Sequence, residues 1–207
     1  MSQSIINENF EEQRYELETV LKELHELIVR IDNPELLTII DDIRTHVNEP
    51  FLFVVVGEIK SGKSSFINAL LREDVCRVDP APCTDVVHQI VYSPEKTETD
   101  LDSGLRLIGL PIDILKQIAV VDTPGTNTIE SHHQEITQRF IPNSGLVLFV
   151  FPAKNPHTQS AWELLDYVNE EWRKRVVFIL QQADLTTDRE LLVNTGKVRE
   201  YATERGI

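Results

Sequence analysis

Gly57, Gly62, Lys63 and Ser64 stand at the spacing G-x-x-x-x-G-K-[ST] in Gly57-Glu58-Ile59-Lys60-Ser61-Gly62-Lys63-Ser64. These residue types at this spacing make a triphosphate cradle. Glycines let the main chain approach phosphate oxygens, and successive N–H groups at a helix start form an anion nest. Lys63 would reach the β- and γ-phosphates, and the Ser64 hydroxyl would bind Mg2+. The motif works only between a strand and a helix. Residues 51–56 are continuously apolar and read as a buried strand, and 65–71 read as the opening of a helix, so that setting is present.

Three further groups have the chemistry to complete such a site. Asp122-Thr123-Pro124-Gly125 follows the apolar run 118–121. An aspartate at that strand end can hold Mg2+ through water, and the Gly125 N–H can face the γ-phosphate. Thr84, in Pro80-Ala81-Pro82-Cys83-Thr84-Asp85, precedes a second strand. Its hydroxyl can close onto Mg2+ and be released when the γ-phosphate goes, or it simply starts the strand. Gln181-Gln182-Ala183-Asp184 ends the strand at 176–180. Ligands bind at the strand ends of an open α/β sheet, and a carboxylate there can accept two N–H bonds from the guanine edge.

The elements that must carry these groups follow from periodicity. From Pro50 onward, strand-like runs at 51–56, 86–92, 118–121, 145–151 and 176–180 alternate with helical patterns at 130–140, 158–168 and from 188. Residues 105–110 make a possible extra edge strand, and the polar stretch 93–103 reads as a surface loop. The alternation implies an α/β domain with a mostly parallel sheet and helices on both faces. Ahead of it, Leu17, Leu21, Leu24, Ile28 and Ile31 recur at helical spacing, and Leu36, Ile40, Ile43 and Val47 form a second stripe. Asn33-Pro34 between them reads as an N-cap and a first-turn proline. Residues 1–48 are therefore an N-terminal helical segment. It is either a hairpin belonging to a larger bundle or a cover for the domain at 49–207.

Composition narrows the partners. The chain has 207 residues, 41% of them hydrophobic, with a formal net charge of −14, so a sizeable core is possible and nonspecific nucleic-acid binding is disfavoured. Cys76 and Cys83 flank a proline-containing loop without metal-type spacing. A reduced cytosolic pair and a disulfide are the two readings. The polar, acidic start is no secretory signal, and no run approaches the ~18 apolar residues of a spanning helix. Trp162 and Trp172 flank an amphipathic helix and are read as packing residues, while His132 and His133 are read as solvated residues after Gly125.

The segments GEIKSGKSSFINALL, APCTDVV, VVDTPGTN and LVLFVFPAKNP match, in order and spacing, the motif set of TRAFAC-class GTPases. Specifically, they resemble the dynamin superfamily in its bacterial branch, whose members also begin a neck bundle with helices ahead of the first strand. The resemblance implies a Ras-like P-loop GTPase fold and Mg2+-dependent GTP hydrolysis, coupled to self-association through the GTPase domain and to membrane remodelling. It implies GTP or GDP held by Gly57, Glu58, Ile59, Lys60, Ser61, Gly62, Lys63, Ser64, Ser65, Gln181 and Asp184, and Mg2+ held by Ser64, Thr84 and Asp122. Lys60, Lys63, Thr84 and Gly125 would carry the reaction. It further implies a cytoplasmic protein peripheral to a membrane, which it meets through regions outside this chain. The last strand and closing helix of the fold are expected to follow Ile207.

The chain departs from the pattern at three places. Thr126 stands where Ras-type enzymes place a water-orienting glutamine, which dynamins also lack. Ile59 and Lys60 replace the glutamine and serine of eukaryotic dynamins. Lys60 would then supply charge to the transition state, or else merely screen bound phosphates. Gln182 replaces the lysine of the base-recognition motif, which leaves the logic of Asp184 intact but would weaken base affinity. Two other readings share the first motifs: a switch GTPase of ribosome or tRNA-modification type, which needs a basic RNA face, and a nucleotide-binding scaffold without turnover.

Overall fold

The computed structural model describes residues 8–76, 86–101, 104–123, 140–157, 162, 163, 165 and 175–207. The chain divides into two compact units, Met1–Pro50 and Phe51–Ile207.

The first unit is a hairpin of α1 (Glu8–Arg30) and α2 (Pro34–Asn48). The turn is fixed by Asn33, whose side-chain oxygen accepts the Leu36 N–H at 3.1 Å, with Pro34 opening the helix. Leu21 and Ile40 are the buried members of the two apolar stripes, while Leu24, Leu36 and Ile43 stay more than 40% exposed. At the open end, Asn48 takes a hydrogen bond from Arg14 and donates one to Glu18.

The second unit is built on a seven-stranded sheet: β1 (Phe51–Gly57), β2 (Val87–Tyr92), β3 (Thr97–Leu101), β4 (Leu105–Leu110), β5 (Ile118–Asp122), β6 (Leu146–Pro152) and β7 (Val176–Gln181). The spatial order is β3-β4-β2-β5-β1-β6-β7. β1 pairs in parallel with β5 and β6, β6 with β7, and β2 with β4, whereas β2–β5 and β3–β4 are antiparallel. The sheet is thus mostly parallel, as the alternation of strands and helices implies.

Period-two alternation sends neighbouring residues to opposite faces. Val54 and Val56 of β1 join Val147, Phe149 and Phe151 of β6 in one core, with Trp162, Leu165 and Val198 above them. Val55, Leu148 and Val150 join a second core with Ile67 and Leu71. Ile67 and Leu71 belong to α3 (Lys63–Leu71) and Val198 to α4 (Asp188–Glu204), so both faces carry helices. The start of α4 is held by a capping box between Thr187 and Glu190. Trp162 is a packing residue: it is 4% exposed, stacks on Phe151 and donates its indole N–H to the Pro156 carbonyl at 3.0 Å.

Two strand readings change. Residues 93–103 are not simply a surface loop, because they contain β3. All five residues of β3 are exposed, so the strand has no buried face to imprint a hydrophobic alternation on Thr-Glu-Thr-Asp-Leu. Backbone pairing and the ion pair of Asp100 with Arg106, its register partner on β4, hold it instead. β4 is consequently an inner strand rather than an edge. The helical pattern at 130–140, save its last residue, and most of that at 158–168 lie outside the described residues.

Candidate active site

Parallel pairing places the C-terminal ends of β1, β5, β6 and β7 together, and the site forms there. Asp122 is the last residue of β5 and lies opposite Val55 of β1. Thr123 clamps the two strands by donating its hydroxyl to the Val55 carbonyl at 2.9 Å. Gly57 is paired with Val150 on the other side of β1, and a Cβ there would lie 2.4 Å from the Val150 carbonyl oxygen. Only glycine permits that approach. The loop then turns through Lys60 and Gly62, both with left-handed backbone (φ 65 and 97), into α3.

Lys63 is the first residue of α3 and only 9% exposed. Its Nζ folds back over the loop, donating to the Gly57 carbonyl at 2.7 Å and the Glu58 carbonyl at 2.9 Å. Burial lowers its pKa below the usual lysine value, with Asp122 and Glu58 pulling the other way. Asp122 is 3% exposed, and burial raises its pKa to about 6, against the opposing pull of Lys63. Ser64 is half-buried at the helix start, Ser65 and Lys60 are exposed, and Ile59 is half-buried.

Two buried polar atoms lack a protein partner here, Asp122 Oδ1 and Ser61 Oγ. Buried polar groups without partners are rare enough to require an explanation. An unpartnered carboxylate oxygen, a helix-start serine hydroxyl and a lysine at a left-handed loop fit a Mg2+–phosphate group, whose ion takes oxygen ligands. The set of donors therefore suits the metal that the motif implies.

At the end of β7, Gln181 is half-buried, while Gln182 and Asp184 are exposed, Asp184 within a short 3-10 turn, Ala183–Leu185. Gln182 adopts φ 61, and its Nε2 donates to the Lys60 carbonyl at 3.3 Å, so the turn after β7 touches the loop after β1. Thr84 and Gly125 lie outside the described residues, as do Thr126, His132, His133, Cys83 and Trp172.

One neighbour of the site is missed by sequence reasoning. The Cys76 thiol hydrogen-bonds the Asp122 carboxylate, and burial together with that negative charge raises the thiol pKa well above the ordinary cysteine value. Asn68 of α3 holds this stretch, accepting the N–H groups of Val75 and Cys76 and donating to the Cys76 carbonyl at 2.9 Å. An asparagine inside a helix is the faint local signal, because its side chain competes for backbone groups. The contact with β5 has no sequence signature.

Residues 53–106 and 112–183, more than half of the chain, match the sequence profile of the Dynamin family. A relative from Arabidopsis thaliana, described as "Probable transmembrane GTPase FZO-like, chloroplastic", is 38% identical over 88% of this chain and 21% of its own length. A protein of Nostoc punctiforme described as "Bacterial dynamin-like protein" is 27% identical over 72% of this chain and 27% of its own. A solved structure described as "An oligomerised bacterial dynamin pair provides a mechanism for the long range sensing and tethering of membranes" superposes with a TM-score of 0.70 at 17% identity, covering 99% of this chain and 37% of the other, which shows the shared fold. The chain spans about a fifth to a quarter of the length of these two relatives. The profile match and the phosphate loop at the end of β1 lead to one conclusion: the chain belongs to the Dynamin family of GTPases.

Proposed function

We propose that this domain binds GTP with Mg2+ and hydrolyses it, and that the whole protein couples turnover to self-association through the GTPase domain and to remodelling of a membrane. The observation that carries the reading is the meeting, at one end of the sheet, of three motifs far apart in sequence: Lys63 after β1, Asp122 at the end of β5 and Asp184 after β7.

The roles follow from the chemistry. The N–H groups of residues 57–65 cradle the β- and γ-phosphates at the start of α3. Lys63 exchanges its two carbonyl partners for phosphate oxygens, which satisfies its buried charge. The hydroxyls of Ser64 and Thr84 and the Asp122 carboxylate would hold Mg2+, which would neutralise negative charge on the triphosphate. Thr84 and the Gly125 backbone orient water in line with the γ-phosphorus, while Lys60 adds positive charge as the bond breaks. Asp184 accepts the two guanine N–H groups beside Gln181.

Among the described residues no helix is long and apolar enough to cross a membrane, so the membrane part of the proposal rests on the family. The matched bacterial dynamin pair is described as oligomerised and as sensing and tethering membranes, which supports the same reading here. The deciding experiment measures GTP and ATP hydrolysis by the full-length protein over a range of protein concentrations, with and without anionic liposomes. GTP preference, a specific activity that climbs with concentration and stimulation by liposomes are expected. Preference for ATP would sink the role of Asp184, a flat specific activity would sink self-association, and stimulation by RNA instead of lipid would replace the membrane reading.

A further inference from the structure

The phosphate loop leaves β1 and leans on the end of β7, two strands away. It does so at two adjoining points. Gln182 donates from Nε2 to the Lys60 carbonyl at 3.3 Å, across 122 residues of chain. One residue earlier, Gln181 packs on Gly62 so closely that a Cβ built there would sit 3.1 Å from Gln181 Cβ and 3.3 Å from its Cγ. Gln181 is a firm support, because it pairs with Pro152 of β6 and its carbonyl accepts the Ala153 N–H at 2.7 Å.

Both residues joined by the hydrogen bond are non-glycine residues with left-handed backbone, Lys60 at φ 65 and Gln182 at φ 61. A residue with a Cβ disfavours that conformation and keeps it only where the surroundings hold it. Ser61, next to Lys60, has its N–H on the Glu58 carbonyl at 3.2 Å, which closes the tight turn but does not tie the loop to the sheet. The Gln182 amide supplies such a tie.

We infer that Gln182 is a positioning residue: it braces the left-handed Lys60 of the phosphate loop against the end of β7, so that the base-side and phosphate-side loops form one mechanical unit. This rests on the proposed nucleotide reading of the loop. It gives Gln182 a task other than contact with the base. Its substitution should disturb phosphate binding, which a residue serving only the base would not do. It also explains how a glutamine serves at a position where the related motif has a lysine: the bracing needs an N–H donor of sufficient reach, not a charge.

The test uses the full-length protein carrying Gln182→Ala or Gln182→Lys, with two readouts. The first is amide hydrogen exchange over residues 57–64 without nucleotide. The second is affinity for GDP and, separately, for inorganic pyrophosphate, which has no base. In Gln182→Ala, loop exchange should quicken, and GDP and pyrophosphate should both weaken about fivefold, the worth of one hydrogen bond. Gln182→Lys should restore all three. Unchanged exchange in Gln182→Ala, a loss confined to GDP, or failure of the lysine to rescue would each overturn the bracing role. A native protein that binds neither GDP nor pyrophosphate would sink the nucleotide reading itself, while the exchange readout would still decide the brace.

Discussion

The two ends of the proposed nucleotide site are built in opposite ways. On the phosphate side, Ser61, Asp122 and Lys63 are 1%, 3% and 9% exposed. The charges of Lys63 and Asp122 attract each other, and the backbone is fixed by glycines and strand pairing. On the base side, Gln182 and Asp184 stand in solvent on a short turn beyond β7. On the proposed reading of the site, the contrast separates binding strength from selectivity. Desolvated, pre-set donors make phosphate contact strong but indifferent to the base, and an exposed carboxylate contributes choice between bases more than affinity.

The sharpest break of this contrast is Lys63→Met. The side chain keeps most of its length but loses a buried, charge-assisted donor to phosphate, so GTP and GDP affinity should fall by about 100-fold or more. Isothermal titration with both nucleotides reads this directly. Loss of only a few-fold would mean that backbone N–H groups alone hold the phosphates.

Asp184→Asn attacks the other end. One of the two hydrogen bonds to the guanine edge would be replaced by a clash of N–H groups, and GTP affinity should fall about 10- to 100-fold. Xanthosine triphosphate, whose edge presents a carbonyl, should bind the variant better than the native protein does. Thermal stability should not move, since Asp184 is exposed. A variant that still prefers GTP would place base selection elsewhere.

The contrast also explains what a reader of the sequence finds and what escapes. The phosphate loop is legible because its parts are contiguous: each residue from Gly57 to Ser64 acts through its own backbone or a short reach. The two faces of the sheet are legible because Val54, Val55 and Val56 lie in a strand with both sides buried, which leaves an unbroken apolar run. β3 is not legible, since an edge strand held by backbone pairing and one ion pair needs no apolar pattern. Nor is the Cys76–Asp122 contact, which depends on where Asn68 folds the chain after α3. The base-side turn falls between: Asp184 is suggested by its place after a strand, but the hydrogen bond of Gln182 to Lys60 exists only once β6 and β7 have paired.

Asp122→Asn sharpens the comparison by separating function from stability. The native carboxyl has its pKa raised from 3.8 to about 6, so between these values the folded state binds more protons than the unfolded one. Stability of the nucleotide-free protein therefore falls as pH rises from about 4 to 6, by a few kcal/mol. The neutral amide removes that penalty. At pH 7 the variant should melt about 5 °C or more above the native protein in the absence of nucleotide, yet lose Mg2+-dependent hydrolysis. A lower melting temperature would show that the Lys63–Asp122 attraction outweighs desolvation.

The smallest effect comes from His88, which faces Asp122 across the β2–β5 pairing but belongs to the half of the sheet without proposed site residues. Burial lowers its pKa from 6.5, Arg106 lowers it further, and Glu98 and Asp100 oppose. Here the unfolded state binds the extra proton, so stability rises with pH up to about 6.5 and is lost as pH falls below it. That slope is opposite in sign to the one from Asp122 over an overlapping window, and the two partly cancel in the native protein. In an Asp122→Asn background the His88 slope should emerge as a destabilisation on going from pH 7 to pH 5, and adding His88→Gln should reduce it, leaving the part from His157, whose pKa burial and Lys197 also lower. Melting temperatures at the two pH values in the single and double variants measure both. If the Asp122→Asn protein shows no acid-side loss, His88 is held in an environment that accepts its charge, and the burial argument for β2 fails.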